Sequence, residues 1–388
     1  MSMTEAQERE AMIREGIAAL CSEFPGEYWR ELDREQEYPT AFVKRLSEDG
    51  WLGALIPEEY GGGGLSESDA AIILEEINHS GCNAGACHAQ MYIMGTVLRH
   101  GSEEQKQRYL PGIASGEIRL QAFGVTEPDA GSNSLAIRTR AVEQPDGSWV
   151  VDGQKIWTSR FFHSDMMLLL ARTSEPVEGK PKWWGLSTFL VDLRVAGDAI
   201  DARPIRTMMN HATTEVFIKG LKLPADALVG EEGMGFKYIL DGMNAERILI
   251  AAECIGDGRW FIEKAAAYAT EREVFGRPIG ANQGVQFPIA RAYAAVEAAD
   301  LMRRRASELF EAGEPCGAEG NMAKLLASEA SWQAANACLD AHGGFGFAEE
   351  YDVERKFRET RLYMTAPINN NLVLAFLGQH VLKMPRSY

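Results

Sequence analysis

Glu246 is the residue of this 388-residue chain whose surroundings best suit proton chemistry. It stands in M-N-A-E-R-I-L-I-A-A, residues 243–252, near the start of a long helical pattern. Ile250 lies one helical turn on, and Leu249 falls near the same face. Burying a carboxylate among aliphatic side chains makes the anion costly, which suits a group that removes a proton near neutral pH. The competing readings are a solvated first-turn Glu favoured by the helix dipole, or an ion pair with Arg247. A second candidate is Q-A-F-G-V-T-E-P-D-A-G-S-N, residues 121–133. Its Gly and Ser content lets backbone approach a ligand closely, and Thr126 and Ser132 supply hydroxyls. Taken alone it is equally a turn-rich loop. A third is K-I-W-T-S, residues 155–159. An indole beside a hydroxyl flanks a planar aromatic cofactor or sits in an ordinary core strand. The glycine run Gly61–Gly64 reads as a flexible turn. It has the composition of a phosphate cradle, but no strand precedes it and no Lys-Ser follows.

The elements that must position these residues follow from periodicity. Apolar spacing predicts helices over 6–23, 41–50, 66–79 and 91–100. From about Phe123 the pattern changes. Two strand-like runs, 147–151 and 154–158, flank Asp152-Gly153, a strong hairpin signal. Residues 166–171, 186–191 and 215–218 add short strands. From Gly233 on, long periodic segments over 237–270, 286–311 and 321–341, rich in Ala and Leu, read as a packed bundle. The fold class is α+β: an N-terminal helical domain over 1–122, a small β domain over 123–232 and a C-terminal helical bundle over 233–388.

Composition narrows the function. The net charge is −17. Nucleic acid is disfavoured, because phosphate binding needs clustered Lys and Arg, and so is an anionic membrane surface. No apolar run is long enough to span a bilayer, and the polar N-terminus does not read as a signal peptide. Cys21, Cys82, Cys87, Cys254, Cys316 and Cys338 form no C-x-x-C pair and no zinc spacing, so no metal site is expected. They read as reduced core thiols of a cytoplasmic protein.

Five ordered segments together resemble the acyl-CoA dehydrogenase family across nearly the whole chain. V-T-E-P-D-A-G-S (125–132) is similar to its first signature. W-T-S (157–159) lies where its flavin-contacting Trp and hydroxyl stand. E-R-E-V-F-G-R-P-I-G-A-N-Q (271–283) is similar to its cofactor segment. H-G-G-F-G-F (342–347) and R-K-F-R-E-T-R-L-Y (355–363) resemble its C-terminal region. The resemblance implies bound FAD, an acyl-CoA substrate and α,β-dehydrogenation to a trans-2-enoyl-CoA. It implies electron-transfer flavoprotein as acceptor and a homotetramer or homodimer. It places Phe123, Val125, Thr126, Gly131, Ser132, Trp157 and Ser159 along the flavin. It places Arg272, Phe275, Gln283, Gly343 and Gly344 at the adenosine half of a neighbouring subunit's FAD, with further cofactor contacts at Asn369 and Asn371. Ser132, Asn244 and Arg247 are the implied substrate contacts. The same fold also carries acyl-CoA oxidases, flavin monooxygenases or a catalytically silent flavin- and CoA-binding scaffold.

The chain departs from the family's pattern in three places. Many members carry the catalytic Glu near the C-terminus; that position here is Pro367. A branch that includes isovaleryl and long-chain types places the base where Glu246 lies, and the chain resembles that branch. Pro367 has no N–H for the thioester carbonyl, so either Ile368 donates or a flavin ribityl hydroxyl takes more of that work. Asp340 stands where a Gln is usual and would repel a pyrophosphate. Arg160-Phe161-Phe162 replaces Asn-Gly or Gly-Gly after the flavin-facing strand. That bulk shapes the approach to the flavin or a docking surface, or it packs. Glu127 reads as turn-stabilising, and His88, Gln90, Met91 and Tyr92 as helix packing or acyl-pocket lining.

Overall fold

The structure, a computed structural model, describes residues 4–386. In chain order it runs α1 (Glu5–Ser22), α2 (Gly26–Glu35), α3 (Thr40–Glu48), α4 (Glu67–His79), α5 (Gly85–His100) and α6 (Glu103–Ser115). Eight strands follow: β1 (Leu120–Gly124), β2 (Arg140–Glu143), β3 (Trp149–Ser159), β4 (Met166–Arg172), β5 (Leu186–Asp192), β6 (Ile200–Pro204), β7 (Thr213–Leu223) and β8 (Leu228–Val229). The chain then returns to helix with α7 (Gly235–Glu271), a small hairpin of β9 (Glu273–Val274) and β10 (Arg277–Pro278), α8 (Gln283–Glu311), α9 (Gly317–His342), α10 (Val353–Thr360) and α11 (Asn370–Phe376). The α–β–α order matches the hydrophobic pattern. Contacts gather the chain into two compact units. One holds the residues through Glu35, Ser66–Ala84 and everything from Asn244; the other holds Gln36–Leu65 and Gly85–Met243.

The sheet unit is built on the order β6-β7-β3-β2-β4-β5-β8, with β1 alongside β4. β1 and β4 run parallel, whereas β3–β7 and β4–β5 are antiparallel. The continuous apolar run of β4 is explained by burial on both faces. Met166 and Leu168 meet α5 and α6 through Ile93, Met94, Val97 and Leu110. Met167 and Leu169 face Ala122, Val151, Phe189 and Val216.

The Asp152-Gly153 hairpin is not formed. β3 continues through the pair, with a register shift at Asp152, and keeps its ladder with β7 on both sides. Gly153 is needed for close approach: a Cβ there would come within 2.4 Å of Thr139. Asp152 accepts the Gly220 N–H at 2.8 Å. The turn falls instead at Asp146-Gly147, between β2 and β3, where Gly147 has φ 81° and Gln144 N–H donates to Ser148 C=O at 2.7 Å. The glycine run 61–64 also has a structural explanation. Its four amides donate to the carbonyls of Glu58, Pro57, Gly53 and Ile56.

The helical unit has an Ala-rich core around Phe261, Ala265, Ala292, Ala334, Ala335, Cys338 and Val353. Small side chains let its long helices lie close. A buried charge network joins α1, α4, α7 and α8. Glu75, fully buried, meets Arg14 at 2.9 Å and Arg303 at 3.3 Å, and also pairs with Arg259. Capping boxes at Ser66–Asp69 and Ser102–Gln105 open α4 and α6 and satisfy their first amides. Among the described residues, no helix is long and apolar enough to cross a membrane and no His, Cys, Asp and Glu cluster could hold a metal. All six cysteines are buried, and none is in a disulfide among the described residues.

Candidate active site

The end of β3 carries a deformation where the sequence places its indole and hydroxyl. The β3–β7 register shifts between Ile156 and Thr158, and Trp157, the residue in between, has φ 62°. A bulge of this kind re-aims a side chain, and the left-handed conformation costs free energy at a bulky residue. The result is an indole 56 % exposed on an otherwise half-buried strand. Thr158 then turns inward and is fully buried. Ser159 remains partly exposed.

The loop after β1 is tied to β3. The Ile156 N–H donates to Thr126 C=O at 2.9 Å. Glu127 and Ala130 exchange both backbone hydrogen bonds around Pro128-Asp129, a tight turn with proline preset for it. The Glu127 carboxylate points inward. Oε2 accepts the Arg138 N–H at 2.6 Å; Oε1 accepts the Thr139 N–H at 2.9 Å and pairs with Lys155 Nζ at 2.8 Å. Burial alone would raise the Glu127 pKa. The Lys155 ammonium and these donors outweigh that and hold it below the usual carboxylate range. Burial pushes Lys155 down to about 8, against the pull of Glu127. Lys155 Nζ also donates to Val125 C=O at 3.1 Å. Glu127 is therefore engaged in holding the turn, as its position suggested. Phe123 and Val125 pack against Ala130, Ile137 and Ile239 of the first turns of α7, and Gly131 and Ser132 are exposed where the loop leaves. Lys155 itself was missed. A lone lysine in an apolar strand was the available signal, but its partner lies 28 residues away.

In the helical unit, Glu246 sits on α7 at 4 % exposure, with Ala245, Ile248, Leu249, Ile250 and Ala251 buried around it in sequence. Arg247 Nη1 donates to Asn244 Oδ1 at 3.0 Å, and Arg247 Nε is buried without a hydrogen-bond partner. The structure thus joins two of the three residues implied for substrate.

α7 ends in the β9–β10 hairpin, whose two turn residues, Phe275 (φ 54°) and Gly276 (φ 77°), both adopt positive φ. That is the twist-matched two-residue turn, and it holds the Phe275 ring out fully exposed. Arg272, just past α7, lies over the Phe345 ring at 5.8 Å. This contact brings the 271–283 segment to the 342–347 segment. Gly343 and Gly344 close α9 there. A Cβ on either would meet nothing within 4 Å, so the backbone is open. Gln283 is exposed on the first turn of α8. Asn369 caps α11, accepting the Leu372 N–H at 3.0 Å, and Asn371 is exposed. Their neighbour Asn370, which the sequence reading passed over, is buried and accepts Lys324 Nζ at 2.6 Å. Burial lowers Lys324 to about 8.

Known proteins match this architecture from end to end. Family models described as acyl-CoA dehydrogenase N-terminal, middle and C-terminal domains match residues 7–117, 122–221 and 233–369. The chain is 36% identical to acyl-CoA dehydrogenase FadE12 of Mycobacterium tuberculosis, covering 100% of this chain and 99% of that one. It is 32% identical to cyclohex-1-ene-1-carbonyl-CoA dehydrogenase of Syntrophus aciditrophicus, covering 98% and 92%. The solved glutaryl-coenzyme A dehydrogenase–glutaryl-CoA complex superposes with a TM-score of 0.90 at 28% identity, over 100% and 98% of the two chains. With its fold matched and its whole length aligned, the chain belongs to the acyl-CoA dehydrogenase family.

Proposed function

We propose that this FAD-dependent acyl-CoA dehydrogenase uses Glu246 as its base. Glu246 takes the α-proton of the bound thioester, the β-hydrogen leaves as hydride, and the product is a trans-2-enoyl-CoA. Bound FAD supplies the hydride acceptor. The chain's residues suit that group. Trp157 offers an exposed ring face and Ser159 a hydroxyl. Gly131, Gly343 and Gly344 are open to close approach, and Arg272 brings the charge a pyrophosphate needs. Phe123, Val125, Thr126 and Ser132 would line the isoalloxazine. Phe275, Gln283, Asn369 and Asn371 would hold the remainder. Asn244 and Arg247, with Ser132, would meet the CoA thioester.

One observation carries the assignment of the base: Glu246 is buried within an aliphatic stretch of α7, while position 367, where many members carry the carboxylate, is Pro. A base in such surroundings is spared competition from water. Electrons then pass to electron-transfer flavoprotein, and the working form is a cytoplasmic homotetramer. Residues 1–122, 123–232 and 233–388 are its three domains. The test is Glu246→Gln, which keeps the shape but cannot accept a proton. Anaerobic flavin bleaching by an acyl-CoA should slow by at least ~10²-fold, the contribution of a general base. FAD content and the spectral shift on thioester binding should remain. Bleaching at the wild-type rate would remove Glu246 from the mechanism.

A further inference from the structure

Beyond Ser159, where the family usually has small residues, the sheet unit buries a cationic cluster. Arg160 adopts φ 59°, a costly conformation for a long side chain, and is only 8 % exposed. Its guanidinium reaches His211 Nδ1 at 3.4 Å. His163 stacks on Tyr38 at 4.2 Å. The Tyr38 hydroxyl donates to Gln121 Oε1 at 2.7 Å. That leaves the Gln121 amide nitrogen buried without a partner, and Arg119 Nε is in the same state. The carboxylate nearby, Asp165, accepts the Arg119 backbone N–H at 2.7 Å.

Charge converges on this group from several segments. Arg119 and Arg160 both act on Tyr38 and on His163, and Arg160 and His88 act on His211. Burial first, and then the guanidinium charge, hold both imidazoles below their usual range. Two guanidiniums and an unmet amide donor gather around Tyr38. Packing does not explain that, because a buried donor left unmet costs free energy. A ligand carboxylate does: it is an acceptor with two oxygens, suited to guanidinium and amide donors.

Arg160 directly follows Ser159, and adjacent Cα atoms stand about 3.8 Å apart. A group recognised by Arg160 therefore lies no farther from Ser159 than one arginine side chain reaches, the span of a short acyl chain. We propose that Arg160, with Arg119 and Gln121, binds a carboxylate at the far end of a short acyl chain, so that the substrate is a monothioester of a short dicarboxylic acid. This rests on the dehydrogenase reading and on Ser159 lying at its reacting end.

The experiment compares glutaryl-CoA with pentanoyl-CoA, and adipyl-CoA with hexanoyl-CoA, by anaerobic flavin bleaching of the holoenzyme. The wild type should favour the carboxylated member of a pair by at least about tenfold in kcat/KM, the scale of one charge-assisted contact. Arg160→Met should cut that ratio by a similar factor, whatever its effect on either rate alone. Gln121→Leu, which removes the unmet amide, should cut it in the same direction and serves if Arg160→Met does not retain FAD. A wild type that prefers the unsubstituted chains, or variants that leave the ratio unchanged, would overturn the proposal while leaving the dehydrogenase reading intact. A flavin bleached by none of the four would overturn this proposal, and one bleached by no acyl-CoA at all would overturn the dehydrogenase reading as well.

Discussion

Lys155→Met tests how the loop after β1 is held. The ammonium and the Glu127 carboxylate stand 2.8 Å apart, with side-chain exposures of 0% and 8%. At an effective dielectric of about 20, their gross attraction is about 6 kcal/mol. Desolvating two ions offsets much of this, so the net worth of the pair is small. Breaking it is another matter. Methionine fills the space but leaves Glu127 buried with two backbone donors and no cation. Stranding one member of a buried pair costs about 3–5 kcal/mol, a large part of a typical domain's 5–15 kcal/mol. The loss should also act locally. Lys155 tethers Val125 C=O and, through Glu127, the turn that follows Thr126, so FAD should dissociate faster. Adding Glu127→Gln to Lys155→Met removes the stranded charge and should recover at least about 1 kcal/mol. The assay is a double-mutant cycle on the holoenzyme, with urea unfolding read by circular dichroism and FAD release read by flavin fluorescence. If the two single costs simply add in the double variant, to within about 0.5 kcal/mol, the pair is uncoupled and the loop is held by something else.

Two further outcomes follow from the same electrostatics. Asp300 faces Arg259 at 3.1 Å, Arg303 at 2.5 Å and Arg304 at 3.1 Å; burial opposes its ionisation, but these guanidiniums win and lower it from 3.8 to about 2. Because the folded value is the lower one, its contribution of about 2 kcal/mol is present above the unfolded value and is lost as pH falls through the folded one. Asp300→Asn should therefore cost about 3 kcal/mol at neutral pH and flatten the acid limb of a Tm–pH curve; an unchanged limb would count against it. Arg272→Ala should weaken FAD binding by at least about tenfold in equilibrium dialysis, with the unfolding midpoint of the FAD-free protein unmoved. Unaltered FAD affinity would return Arg272 to the ordinary surface.

The long helices were legible because their apolar spacing is local: α7, α8 and α9 each carry it for many turns. The β3 hairpin error has a long-range cause. Asp146-Gly147 and Asp152-Gly153 carry the same two-residue signal, and nothing within either pair says which one turns. The choice is made by β2 and β7, which pair with β3 on its two sides and hold it extended through Gly153. The site divides along the same line. Trp157 and Ser159 were readable as residue types, whereas the bulge that exposes the indole comes from register against β7. The Arg160 cluster is the clearest case. Its members come from residues 38, 119–121, 160–163 and 211, far apart in the chain, and each alone reads as an ordinary polar residue. Only Arg160 stood out, as bulk where the family has little, and bulk suggested packing or a docking surface. What gives it a chemical meaning is the Gln121 amide, whose oxygen accepts from Tyr38 while its buried nitrogen is unmet. An unmet donor is a property of three-dimensional neighbours, so no sequence pattern could have carried it.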